Sequence, residues 1–87
     1  MRDVGEAFDQ CTAARRIVER IETQMLTPAR EVRSTMEYSY RRGEASLVEF
    51  LDAVRAFNDT SRGYNDARAD YARSLYELDA ISGRMTP

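Results

Sequence analysis

The chain has no histidine, a single cysteine, two prolines and four glycines among 87 residues, and all thirteen of its basic residues are arginine. Each scarcity closes a class of chemistry. One cysteine, Cys11, permits no intrachain disulfide and no cysteine-rich metal site. Without histidine there is no imidazole ligand and no base that titrates near neutrality. Without lysine or histidine no nucleophile–base pair is available, and no glycine-rich phosphate loop is present, so an enzyme is not expected. Any metal would have to rest on carboxylates, and these are scattered among the arginines with no calcium-loop spacing. No metal and no cofactor are therefore expected. The absence of lysine reads first as the codon bias of a GC-rich genome. No run approaches the roughly 18 apolar residues of a membrane span. The opening Met1-Arg2-Asp3-Val4-Gly5-Glu6 lacks the order of a signal peptide, so as it stands the sequence reads as a soluble piece. With a net charge of −2 there is no basic field for nucleic acid.

What remains is helix. Charged residues make up 32% of the chain against roughly 25% in average domains, while turn-forming residues are depleted. Few turns mean few, long elements. The break signals cluster in Tyr40-Arg41-Arg42-Gly43-Glu44-Ala45-Ser46, where Gly43 can take the left-handed conformation that ends a helix. Ser46-Leu47-Val48-Glu49 then fits a capping box, in which Ser46 accepts from the Glu49 amide and the Glu49 carboxylate reaches back to the Ser46 amide. We expect an all-α, antiparallel two-helix coiled-coil hairpin, with helices over 2–40 and 47–82 and a turn over 41–46.

In the first helix an apolar stripe runs through Val4, Phe8, Cys11, Val18, Met25, Ala29, Val32 and Met36, widened by Ile17 and Ile21. Pro28 lies inside it. An interior proline removes one backbone bond and clashes with the carbonyl four residues earlier, which predicts a kink near Met25 to Thr27. The alternative is a break, with Thr27 as cap and Pro28 at the first helical position. The second helix carries Phe50, Val54, Phe57, Ser61, Tyr64, Arg68, Tyr71, Leu75 and Leu78 at four-three spacing, a heptad pattern. Ser82-Gly83 is the expected stop. One heptad position forms a ladder of Phe50, Phe57, Tyr64, Tyr71 and Leu78, better suited to helix packing than to a ligand box. Another repeats Asp52, Asp59 and Asp66. Two helices alone leave much of both stripes wet. Self-association into a four-helix bundle, or a place in a larger helical wall, is expected.

The stretch from Tyr40 through Gly43 to Leu51-Asp52-Ala53 resembles the signature of TolC-like outer-membrane factors: Tyr, two variable residues, Gly, then an aliphatic run ending in Leu-Asp-Ala. The similarity continues through Asn65-Asp66-Ala67-Arg68-Ala69-Asp70-Tyr71 to Leu78-Asp79-Ala80. Over the first helix, Leu26-Thr27-Pro28-Ala29-Arg30 is similar to the Leu-Pro stretch of the heavy-metal branch, the CzcC, CnrC and CusC type. The resemblance implies the C-terminal hairpin of a periplasmic α-barrel that three protomers build beneath an outer-membrane β-barrel. It implies further that the tip at Gly43, with Tyr40, Arg41 and Arg42, docks a periplasmic adaptor. The adaptor bridges to an inner-membrane resistance-nodulation-division pump, and heavy-metal cations are the implied cargo. Glu49 and Asp52, six and nine residues beyond Gly43, fall where the family can carry acidic gate rings, and Asp59 and Asp66 would line the tunnel. The family's latching arginine, two residues after the glycine, is Ala45 here. Signal peptide, barrel strands and a second helical repeat are missing, so the chain reads as a fragment of such a protein.

Each of these residues also has a plainer reading. Glu49 serves a capping box before it serves a gate. The Asp52, Asp59 and Asp66 row reads as a solvated face, helped by Arg55 and Arg62 three residues on from the first two. Cys11 packs as a small apolar side chain, with an intermolecular disulfide as the alternative. Tyr40, Arg41 and Arg42 divide between simple solvation and partner docking. In the plainer account the molecule is an interaction module, a hairpin that homodimerises and has no transport role of its own.

Overall fold

The computed structural model describes residues 3–85. Asp3 opens α1 (Val4–Ile21) in an extended conformation, its carboxylate accepting from the Glu6 amide at 2.7 Å. Such a cap satisfies one of the donors a helix start leaves orphaned. A five-residue π segment, Glu22–Leu26, leads directly into α2 (Thr27–Arg41). After the turn, α3 (Leu47–Met85) returns antiparallel in 39 unbroken residues. The all-α hairpin expected from the sequence is the fold. Its second helix passes straight through Ser82 and Gly83, so that pair does not stop it.

Pro28 explains the π segment. In a regular α-helix its ring would meet the Gln24 carbonyl, and its missing N–H would leave that carbonyl without a donor. Here the Thr27 amide instead reaches back five residues to the Glu22 carbonyl. The wider turn takes up one extra residue just before the proline. Leu26 and Thr27 both keep right-handed helical angles, and no side chain caps the junction. The break considered at Thr27 therefore does not form.

The extra residue resets the seam. Along α1 buried or half-buried positions recur at three-four spacing through Val4, Ala7, Cys11, Ala14, Val18 and Ile21, and they resume at Leu26, the last residue of the π segment, and then at Ala29 and Met36. The step from Ile21 to Leu26 is five residues, where a continuous heptad would step four. This corrects the expected stripe. Leu26 is buried at 5% exposure while its neighbour Met25 stands 53% exposed, and Phe8 and Val32 also lie outside. In α3 the ladder of Phe50, Phe57, Tyr64, Tyr71 and Leu78 faces the partner helix as expected. Its companion row is Ala53, Thr60, Ala67, Ser74 and Ile81, with Ala53 and Ala67 buried; of the row expected there, Val54 and Ser61 are half-buried and Arg68 and Leu75 are exposed. Arg68, which the four-three spacing places in the seam, lies outside it. Small residues on both sides let the helices approach closely, and large rings from α3 fill the space beside them.

The result is a rod of 66 × 18 × 15 Å with a radius of gyration of 19.0 Å, against about 12 Å for a compact domain of this length. Among the described residues only Ala7, Cys11, Leu26, Ala53 and Ala67 are buried, and no polar or charged residue is. Among the described residues no helix is long and apolar enough to cross a membrane.

Candidate functional surface: the hairpin tip and its flanks

The tip is built from local hydrogen bonds. Gly43 has φ 77°, a conformation that costs a side-chain-bearing residue about 1–2 kcal/mol. That geometry lets the Gly43 amide donate to the Tyr40 carbonyl at 3.0 Å and the Glu44 amide donate to the Ser39 carbonyl at 2.8 Å, the paired bonds of a Schellman motif. On the other side of the turn the capping box is complete. The Glu49 amide donates to Ser46 Oγ at 3.1 Å, and the Ser46 amide donates to Glu49 Oε2 at 3.2 Å.

Side chains then brace the turn. The Tyr40 ring stacks on Phe50 across the hairpin, centroids 5.5 Å apart and planes inclined 19°, an arrangement worth roughly 0.5–1.5 kcal/mol beyond its area. Arg42 donates to Glu44 at 3.0 Å and to the Tyr38 hydroxyl at 2.7 Å, with its guanidinium 5.3 Å from the Tyr38 ring centre. Arg41 pairs with Glu37 at 2.9 Å. The four tip residues singled out from the sequence thus come together in one structure. Three of them have partners within the hairpin, and Gly43 supplies its backbone. The role of Tyr38 in holding Arg42 was missed, although the two are four residues apart on one helix face.

The acidic residues do not converge. Asp52, Asp59 and Asp66 follow one another along the outside of α3, about 10.5 Å apart at 1.5 Å per residue. All three are exposed, as is Glu49 at the head of the helix. Asp52 has Arg55 at 3.8 Å. Among the described residues no ion pair joins Asp59 to Arg62, whereas Asp70 and Arg73 do pair, at 3.2 Å. No group of three or more Cys, Asp or Glu among the described residues is placed to hold a metal ion.

The arginines of the opposite flank make a second surface, which the sequence did not single out. Arg33 and Arg30 of α2 reach across to Phe57, their guanidinium carbons 5.0 and 6.0 Å from the ring centre. Arg68 lies 5.7 Å from the Tyr64 ring centre. Each contact of this kind contributes roughly 0.5–1 kcal/mol at an exposed site and leaves the guanidinium donors open. Among the described residues no carboxylate pairs with any of the three.

The two flanks also carry the apolar residues left out of the seam. Helical spacing puts Phe8, Leu47 and Leu75 on the flank that includes Arg30 and Arg68, and Ile17, Met25 and Val32 on the other. Phe8 and Thr12 line a shallow groove with Tyr71, Leu75 and Leu78. Pro28, Val32, Thr35 and Met36 line a second, on the opposite flank. No family model, no curated protein and no solved structure matches the chain.

Proposed function

We propose that the hairpin is one stave of a closed helical wall, the periplasmic tunnel of a TolC-like outer-membrane efflux duct that exports heavy-metal cations. The observation that supports this most is the exposure of large apolar residues on both flanks: Phe8, Leu47 and Leu75 on one, Ile17, Met25 and Val32 on the other. A hairpin that pairs once needs one sticky flank, and a stave needs two. Its surface of 6652 Å² exceeds by about 1,400 Å² the area typical of a compact 10 kDa protein. That excess is of the size that lateral neighbours would cover.

In this reading the braced tip is the docking end, offering Tyr40, Arg41, Arg42 and Gly43 to the hairpin of a periplasmic adaptor that leads to the inner-membrane pump. Glu49 and Asp52 sit close behind it. Threefold repetition would set them in rings whose negative potential draws cations and resists closure. No bond is made or broken. The experiment is planar-bilayer recording on the complete duct carrying this hairpin, with Glu49→Gln and Asp52→Asn together. Cation selectivity should fall and the closed state should become longer-lived; unchanged conductance and selectivity would remove the gate. A complete protein that forms no conducting pore would favour instead an interaction module, a hairpin that homodimerises into a four-helix bundle.

A further inference from the structure

The two flanks differ in charge as well as in shape. On one, guanidinium groups are stationed at the levels of Phe57 and Tyr64, seven residues or about 10.5 Å apart along α3. On the other, carboxylates project at Asp59 and Asp66, also seven residues apart and each two residues, about 3 Å, further along the same helix. Among the described residues neither set is neutralised by an ion pair. A two-fold pairing through either flank would set like against like, arginine on arginine or aspartate on aspartate. Copies placed side by side and pointing the same way set the arginine flank of one against the aspartate flank of the next, with an offset an arginine side chain spans.

We infer that the hairpin binds a second copy of its own chain laterally and in parallel, through two different faces, with Arg30, Arg33 and Arg68 against Asp59 and Asp66. Such head-to-tail contacts build a ring where the rotation between copies closes and an open array where it does not, whereas two-fold contacts end at a dimer. The inference does not depend on the wall belonging to an efflux duct, so a silent bilayer recording leaves it intact.

The test uses the 87-residue chain in analytical ultracentrifugation at low and high salt. The wild type should sediment as an assembly larger than the 10.0 kDa chain and dissociate by at least tenfold in Kd between about 50 and 500 mM salt, as charges outside the interior are screened. Asp59→Arg with Asp66→Arg should be monomeric alone, as should Arg30→Glu with Arg33→Glu and Arg68→Glu. An equimolar mixture of the two variants should associate again. If the aspartate variant self-associates like the wild type, the aspartate flank is not in the contact and the inference fails. It fails also if the wild type is a monomer, or if mixing restores nothing while both variants keep wild-type helicity. Orientation is read by a spin label on Glu44→Cys in a Cys11→Ser background. Parallel copies place the tips about one rod width apart, near 18 Å, and a distance close to the length of the rod would overturn the parallel arrangement.

Discussion

The two arms of the hairpin solve the same packing problem with opposite tolerance for error. The returning arm, α3, runs 39 residues without interruption, and its aromatic and small rows alternate at three and four residues from Phe50 to Ile81. The first arm carries a proline, a π segment and a shift of one residue in its inward positions, yet lies along α3 on both sides of that shift. Strict periodicity is therefore carried by one helix, and the other adjusts to it. A helix side chain added or removed in α3 must turn everything beyond it by about 100°, while the first arm already contains a turn that absorbs one residue.

That contrast can be broken most directly by inserting one alanine between Ala67 and Arg68. Tyr71, Ser74 and Leu78 would rotate out of the seam, and α1 would lose its partner. We expect the cooperative thermal transition followed by circular dichroism to disappear. Deleting Thr23 together with Pro28→Ala is the matched change in the other arm. It removes the extra residue and the reason for it, so the seam can run on as a plain α-helix, and the transition should survive. Equal damage from the two changes would refute the asymmetry.

The next largest effect is expected at the junction itself. Leu26 is the one large side chain among the five residues buried within the described part of the chain, and Met25 beside it is half exposed. Leu26→Ala should cost about 2–3 kcal/mol in urea unfolding, the lower part of the range for buried leucines. Met25→Ala should cost less than about 0.5 kcal/mol, as surface substitutions usually do. The reverse order would mean that the π segment does not shift the seam.

How much of this was legible follows from the same residues. The hairpin, the left-handed Gly43 and the Ser46–Glu49 capping box are local features, and each is specified within a few residues of sequence. The seam was misjudged because the largest apolar side chains were assumed to point inward. Close antiparallel packing selects small ones, and Ala7, Ala53 and Ala67 fill the interior while Phe8, Leu75 and Val32 remain outside. The repeat Ala53, Thr60, Ala67, Ser74 was present to be read, but Val54 and Leu75 outweighed it on hydrophobicity. Pro28 did signal a disturbance just before it; that the chain would take up one extra residue there without breaking depends on both halves packing along α3. The acidic row was visible as a period of seven. The arginines opposite it were not, because Arg30 and Arg33 meet Phe57 only once the chain has folded back on itself.

At the tip the two arms meet, and each contributes its own terminal device. Gly43→Ala imposes a side chain on a φ of 77°, with open space around it, so the cost is conformational alone. About 1–2 kcal/mol should be lost, measurable as a lower urea midpoint with unchanged slope.

The smallest effect separates structure from function at Glu49. In the capping box the Ser46 hydroxyl accepts from the Glu49 amide, and the Glu49 carboxylate accepts from the Ser46 amide. Ser46→Ala removes the acceptor for an orphaned donor and should cost about 1 kcal/mol. Glu49→Gln keeps a side-chain oxygen able to accept the Ser46 amide, since capping boxes accommodate glutamine at this place. It loses only the attraction of a negative charge for the helix start, roughly 0.3–1 kcal/mol at low salt and less when screened. Urea midpoints for Ser46→Ala, Glu49→Gln and Glu49→Ala should therefore rank with the glutamine variant nearest the wild type, converging on it as salt is raised. If glutamine is as damaging as alanine at high salt, the carboxylate does more than cap. If it is silent, the charge of Glu49 is free for whatever surface the tip meets, and a change in adaptor binding or conductance by the same variant cannot be ascribed to a weakened helix.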